Sequence, residues 1–164
     1  MSKKTTYKIL IIAILSVIGL YFYNKYNVAP SIQLTKLDVV DQNNTKFDFK
    51  SLIGKKVIVS FYASWCPNCI EELKTLNSIK AQKLADIEIL AITDESMDKL
   101  ISFKDKKQYP FTFLKLNTSF SAIGIASIPT TYLVNTKGEI VYNKVGYIHW
   151  DDESNLNHLK TLME

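Results

Sequence analysis

The sequence predicts an α/β domain built on a mixed sheet with helices on both faces, preceded by one transmembrane helix. Three observations lead there. Val57–Ala63 and Ile87–Thr93 are short runs rich in β-branched residues, suited to buried parallel strands, and each is followed by a segment of helical period. Thr130–Asn135 and Glu139–Val145 are two further strand-like runs, joined by the tight turn Thr136-Lys137-Gly138. The order β-α-β-α followed by β-β-α is that of a mixed sheet. Near the N-terminus, ILIIAILSVIGLYFYN runs for sixteen uncharged residues between Lys8 and Lys25.

A chain of 164 residues, 47% hydrophobic and 22% charged, holds one globular domain and a leader but not two sizeable cores. It is too apolar and too evenly charged to stay disordered. Lysine supplies all the basic charge, and four lysines (Lys3, Lys4, Lys8 and Lys25) fall in the first 25 residues, where there is no acid. From residue 30 onward 16 lysines face 16 acids, so the domain is formally neutral and the net charge of +4 belongs to the leader. No basic stripe remains for a phosphate backbone, which argues against nucleic acid as a partner.

A sixteen-residue helix rises about 24 Å, short of the roughly 30 Å hydrocarbon core. Lys8 and Lys25 can extend the span by snorkelling, and Tyr21, Phe22, Tyr23 and Tyr26 form an aromatic belt at one end. Competing readings are a cleaved signal peptide, whose apolar region is usually shorter, and a buried soluble helix. Asn27-Val28-Ala29 followed by Pro30 is a poor signal-peptidase site, because Asn stands where a small residue is needed. Three lysines without an acid before the apolar run place the N-terminus inside. The expected layout is a cytoplasmic tail (1–8), a lipid-contacting anchor (9–24), a linker (25–31) and an extracytoplasmic domain (32–164). Neither cysteine lies near the leader, so an acyl anchor has no attachment residue.

Within the domain, Ile32–Phe49 holds two β-like runs around the turn Asp41-Gln42-Asn43-Asn44. Ser51–Lys56 connects to the first buried strand. From Pro67 the period changes, and Ile70, Leu73, Leu76 and Ile79, with Leu84 after them, mark one helical stripe. Ser96–Gln108 reads as a helix stopped by Tyr109-Pro110. Phe111–Leu116 reads as a short strand, Ser119–Ile125 as a short helix, and Asp151–Met163 as a terminal helix with Leu156, Leu159 and Leu162 inward.

The chemistry concentrates in Cys66-Pro67-Asn68-Cys69, at the passage from a buried strand to the first turn of a helix. There the unpaired N–H groups and the helix dipole point at the first sulfur and favour its thiolate, the nucleophile of thiol–disulfide exchange. Pro67 costs no hydrogen bond at the first helical position. Cys66 would attack a substrate disulfide, and Cys69 would resolve the mixed disulfide. A structural disulfide across two residues would be strained and add little. A zinc site would need His149 and His158, whose spacing from each other and from Cys69 does not fit.

Ser60–Cys69, SFYASWCPNC, resembles the active-site segment of thioredoxin-fold proteins, and the stretch from Gly124 to Gly138 resembles their cis-proline loop and following hairpin. Ala29-Pro30, the hairpin over Ile32–Phe49 and the single apolar leader extend the resemblance to the TlpA/ResA-type extracytoplasmic thiol-disulfide oxidoreductases, over roughly residues 29–148. The resemblance implies a thioredoxin-like fold with Cys66 as nucleophile and Cys69 as resolving thiol, needing no cofactor beyond their redox-active disulfide. It implies that Trp65 shields the site and offers an apolar docking surface. Ile128-Pro129 would be a cis peptide facing the cysteines, with the Ile128 backbone pairing to extended substrate; otherwise Pro129 is a trans proline opening an edge strand. Glu72 matches an acidic position near the active site of ResA-like proteins; otherwise it is a solvated first-turn Glu favoured by the helix dipole.

Several positions depart from the pattern. Ser60 stands where thioredoxin has a buried Asp, and Leu90 where it has a nearby Lys, leaving Glu72 or water as proton acceptor for Cys69. Lys74 replaces a helix-kinking Pro, and Pro67-Asn68 differs from the dipeptides of reducing members. The expected function is reduction of extracytoplasmic protein disulfides, for example in cytochrome c maturation, with a multi-span membrane partner supplying electrons. Alternatives are an oxidase or isomerase on the same fold and a non-catalytic membrane-tethered binding module. A peroxidase is disfavoured, since Ala63 stands at its Thr position and the chain contains no Arg.

Overall fold

The β-branched runs form the central strands, where side chains that pack well on a pleated surface are covered on both faces. The computed structural model describes residues 3–164, with side chains from Tyr7 onward. Its strands are β1 (Val39–Val40), β2 (Lys56–Phe61), β3 (Ile87–Thr93), β4 (Thr112–Leu116), β5 (Thr130–Val134) and β6 (Ile140–Val145). Its α-helices are α1 (Lys3–Asn27), α2 (Pro67–Lys83), α3 (Met97–Lys107) and α4 (Glu153–Leu162). The sheet order is β1-β4-β3-β2-β5-β6; β2, β3 and β4 pair in parallel, while β1, β5 and β6 join antiparallel.

Alternation along the strands divides the core in two. Val57, Val59 and Phe61 point to one face with Leu90, Ile92 and Tyr132; Ile58, Ile89, Ala91 and Leu133 point to the other. The crossovers β2-α2-β3 and β3-α3-β4 step across the sheet in the same direction. Right-handed connections of that kind place α2 and α3 on one face. Leu73, Leu76, Leu100, Phe103, Leu156 and Leu159 of α2, α3 and α4 pack into the same cluster. The helical cover of the other face is lighter: 3-10 turns at Leu34–Lys36, Phe49–Leu52 and Phe120–Ile123, supplying Leu34, Phe49 and Phe120. The short helix expected over Ser119–Ile125 is the last of these turns.

The expected N-terminal hairpin is present in minimal form. β1 pairs with β4, and the return arm reaches it through a bridge between Val40 and Lys46. The Asp41 carboxylate accepts from the N–H groups of Asn43 and Thr45, so the side chain shapes a turn that a longer ladder would have straightened.

The apolar leader is helical beyond its charge-free core. Tyr7–Asn27 is long and apolar enough to cross a membrane, and its 21 residues correspond to about 31 Å. Among the described residues it packs on nothing, with Leu10, Ile12, Leu15 and Val17 all exposed. Of the tail expected over 1–8, residues 1–2 lie outside the described residues. The helix includes Lys25 and ends at Asn27, and the segment expected as linker is docked by Pro30: Tyr132 donates to the Pro30 carbonyl at 2.8 Å.

Pro30 also explains one glycine. Gly124 closes the Phe120–Ile123 turn at φ +84°, and a Cβ there would stand 3.2 Å from the Pro30 Cβ. Gly54 has φ +89° with open space around it. In urea unfolding of the segment 28–164, Gly54→Ala should cost about 1 kcal/mol of backbone strain, and Gly124→Ala should cost more, about 2 kcal/mol. Equal losses would show that the Pro30 contact contributes nothing.

Candidate active site

β2 ends at Phe61, and Tyr62 makes the last backbone bond to β3, donating to the Ile92 carbonyl at 2.9 Å. The chain then turns, with the Cys66 N–H on the Ala63 carbonyl at 3.1 Å, and α2 starts at Pro67. Cys66 is the N-cap, in extended conformation, and its Sγ accepts the Cys69 N–H at 3.3 Å. An unpaired N–H of the first helical turn is thus aimed at the first sulfur. Cys66 and Cys69 are joined as a disulfide with Cα atoms 5.3 Å apart; Cys69 is fully buried and Cys66 is 6% exposed.

The Ile128-Pro129 peptide is cis and stands opposite, with the Ile128 carbonyl 3.8 Å from Cys66 Sγ. Pro129 is buried and Ile128 half-buried. Trp65 is 69% exposed beside the dithiol. Trp65, Phe120, Ile125, Ser127, Ile128 and Asp94 line a shallow groove. Pro67 and Asn68 are exposed on the first turn of α2, and α2 continues unbroken through Lys74 to Lys83.

Glu72 lies one turn beyond Cys69 and is fully buried, not solvated. Its Oε1 accepts from Thr131 Oγ1 at 2.7 Å and Ser60 Oγ at 3.4 Å, and its Oε2 accepts the Ile148 N–H at 2.9 Å. Burial pushes its carboxyl up to about 7, and the bonds from Thr131, Ile148 and Ser60 only partly offset that. The Trp150 indole N–H makes no hydrogen bond of ordinary geometry but faces the carboxyl as a weakly favourable dipole. Ser60 therefore serves a carboxylate arriving from α2. Leu90 points away, into the cluster on the opposite face.

The sequence reading passed over Thr131, Ile148 and Trp150, and also Glu95, which accepts from the Ser64 N–H and hydroxyl beside the dithiol loop. Only β-alternation after Pro129 hinted that Thr131 faces α2. The other partners lie 31 or more residues apart along the chain, beyond any local spacing signal. His149 and His158 are exposed, and among the described residues no three His, Cys, Asp or Glu side chains gather into a metal-binding group. The arrangement can exchange a disulfide through the cysteine pair itself, with an acid–base group buried beneath it.

The chain is similar to several known proteins. The chain is 27% identical over 149 residues to Thiol-disulfide oxidoreductase ResA of Halalkalibacterium halodurans, covering 85% of each chain. It is 27% identical over 156 residues to Thioredoxin-like protein YneN of Bacillus subtilis, covering 89% of this chain and 92% of that one. Among solved structures, a putative thiol:disulfide interchange protein DsbE from Chlorobium tepidum superposes with a TM-score of 0.66 at 18% identity, covering 79% of this chain and 95% of that one. A thioredoxin-like protein from Porphyromonas gingivalis gives 0.67 at 22% identity, with 82% and 94% covered. Both share the thioredoxin-like fold. The Redoxin family model matches residues 25–160, a span that takes in every strand and both cysteines. This chain therefore belongs to the Redoxin family, as one of its thiol-disulfide oxidoreductases.

Proposed function

We propose that the protein is a membrane-tethered reductant of protein disulfides, with α1 as its anchor and the domain outside the cytoplasm. Lys3, Lys4 and Lys8 before the apolar run support that orientation. The observation that carries the reducing direction is Glu72, a buried carboxyl three residues past Cys69 on the same helix face. Negative charge there opposes a second negative charge on the thiols, so the pair favours the disulfide and gives up electrons readily.

In the proposed cycle the Cys66 thiolate, held by the α2 N-terminus, attacks one sulfur of a substrate disulfide and releases the other as a thiolate. Glu72 takes the Cys69 proton, for which a carboxyl titrating near neutrality is suited. The Cys69 thiolate then attacks Cys66 Sγ, the Cys66–Cys69 disulfide closes, and the substrate leaves with two electrons and its sulfurs reprotonated. Trp65 and the Ile128-Pro129 loop flank the incoming chain. Return to the dithiol needs electrons carried across the membrane, which one apolar helix does not relay, so a multi-span dithiol partner is implied. Cytochrome c maturation is one process that needs such a reductant.

An oxidase or isomerase is the second reading. It is favoured by Pro67-Asn68 in the first turn of α2, where a better-held thiolate would make the disulfide more oxidising. Equilibration with glutathione decides between them. A potential near or below about −250 mV is the expected result, whereas one of about −120 to −180 mV would establish the oxidase or isomerase. A Cys66→Ser variant that retains full biological function would leave only a binding module.

Glu72 also makes stability pH-dependent. Its folded pKa is raised, so its contribution is fully present below about 4.5 and is lost as pH rises through about 7. Chemical denaturation should show the wild-type domain losing about 3 kcal/mol more than Glu72→Gln between pH 4.5 and pH 8. Parallel profiles would remove Glu72 as the titrating group.

A further inference from the structure

A second carboxylate lies against the dithiol loop. Glu95 stands two residues past the end of β3, and its side chain is only 7% exposed. Its Oε2 accepts the Ser64 N–H at 2.5 Å and its Oε1 accepts the Ser64 hydroxyl at 2.9 Å. The carboxylate is itself fixed: the Glu95 N–H donates to Thr93 Oγ1 at 3.3 Å, and that hydroxyl reaches back to Oε2 at 3.5 Å. Its cation is Lys99, with Nζ 3.3 Å from Oε1 and a side chain 62% exposed. Ser64 lies between Tyr62, where the chain leaves the sheet, and Cys66, where α2 is capped. Both of its donors end on the same carboxylate.

We propose that Glu95 is a positioning residue for the exchange reaction, holding the Ala63–Cys66 turn and biasing the dithiol toward the disulfide. The first effect is geometric. Two bonds from one rigidly held group fix the turn that sets Cys66 against the Cys69 N–H and the Ile128 carbonyl. The second is electrostatic. Ser64 is two residues from Cys66, so a poorly solvated negative charge lies within about 10 Å of the nucleophilic sulfur and opposes its thiolate. A less stable thiolate makes a more reducing pair. Glu95 also bears on Tyr62, whose hydroxyl burial raises first and the Glu95 charge second. This inference rests on Cys66 and Cys69 being the working pair.

The test is the equilibrium constant with glutathione, read by thiol alkylation of the full chain in detergent micelles at pH 8.5, about the pKa of a free cysteine. Glu95→Gln keeps an oxygen acceptor for Ser64 but removes the charge. It should move the constant three- to tenfold toward the dithiol, or about 14 to 30 mV. Lys99→Met leaves the carboxylate uncompensated and should move it in the opposite direction, by about twofold because the lysine is screened. A purely structural clamp would lower the melting temperatures of the oxidised and reduced forms equally and leave the constant unchanged. That result in Glu95→Gln overturns the inference, as does an unchanged constant in Lys99→Met if Glu95→Gln does not fold. Failure of the wild type to close the disulfide would instead overturn the proposed function.

Discussion

The Glu72 carboxyl is taken wholly out of water, and a group so placed must find its hydrogen bonds inside the protein or cost several kcal/mol. Four parts of the chain meet to supply them: α2 brings the carboxyl, β2 and β5 bring Ser60 and Thr131, and the segment after β6 brings the Ile148 N–H. Trp150, with no exposure, closes the same region. Moving any one of these elements would strand the carboxyl, so their mutual positions are fixed. The dithiol, one turn earlier on α2, is fixed with them.

Strand direction explains why the site gathers at one end of the sheet. Parallel strands present their carboxyl ends together, so the turn leaving β2 and the turn leaving β3 emerge side by side. That brings Ser64 to Glu95 across 31 residues. β5 runs antiparallel to β2, so the residues before it, Ile128 and Pro129, arrive at the same end. A mixed sheet thus gathers the dithiol turn, Glu95 and the cis-proline loop from three separate stretches. The reactive sulfur meets the backbone of that loop at 3.8 Å.

The neutral domain and the basic leader are joined without slack. α1 is helical to Asn27, and by Pro30 the chain already packs on Gly124 and bonds to Tyr132. Gly124 belongs to the turn that leads into Ile128-Pro129. The end of α1 and the cis-proline loop therefore share a buttress.

The sequence by itself determined the elements and the reactive pair, because those depend on local physics. β-branched runs, the stripe from Ile70 to Ile79 and a cysteine ahead of a helix-initiating proline are all read within a few residues. Even the antiparallel hairpin declared itself through Lys137-Gly138. Tertiary structure alone decided that α2, α3 and α4 gather on one face and 3-10 turns cover the other, since that follows from crossover handedness and strand order. It also decided Glu72. A glutamate in the first turns of a helix is equally at home in water; only the packing of β2, β5 and the segment after β6 over it takes Glu72 out of water and raises its carboxyl, a rise that the bonds from Thr131, Ile148 and Ser60 partly offset. Glu95 was illegible for the same reason: its partner Ser64, two residues before Cys66, is 31 residues away from it along the chain. Hydrogen bonds that satisfy a buried charge join stretches with no sequence period in common, so only the folded chain specifies them.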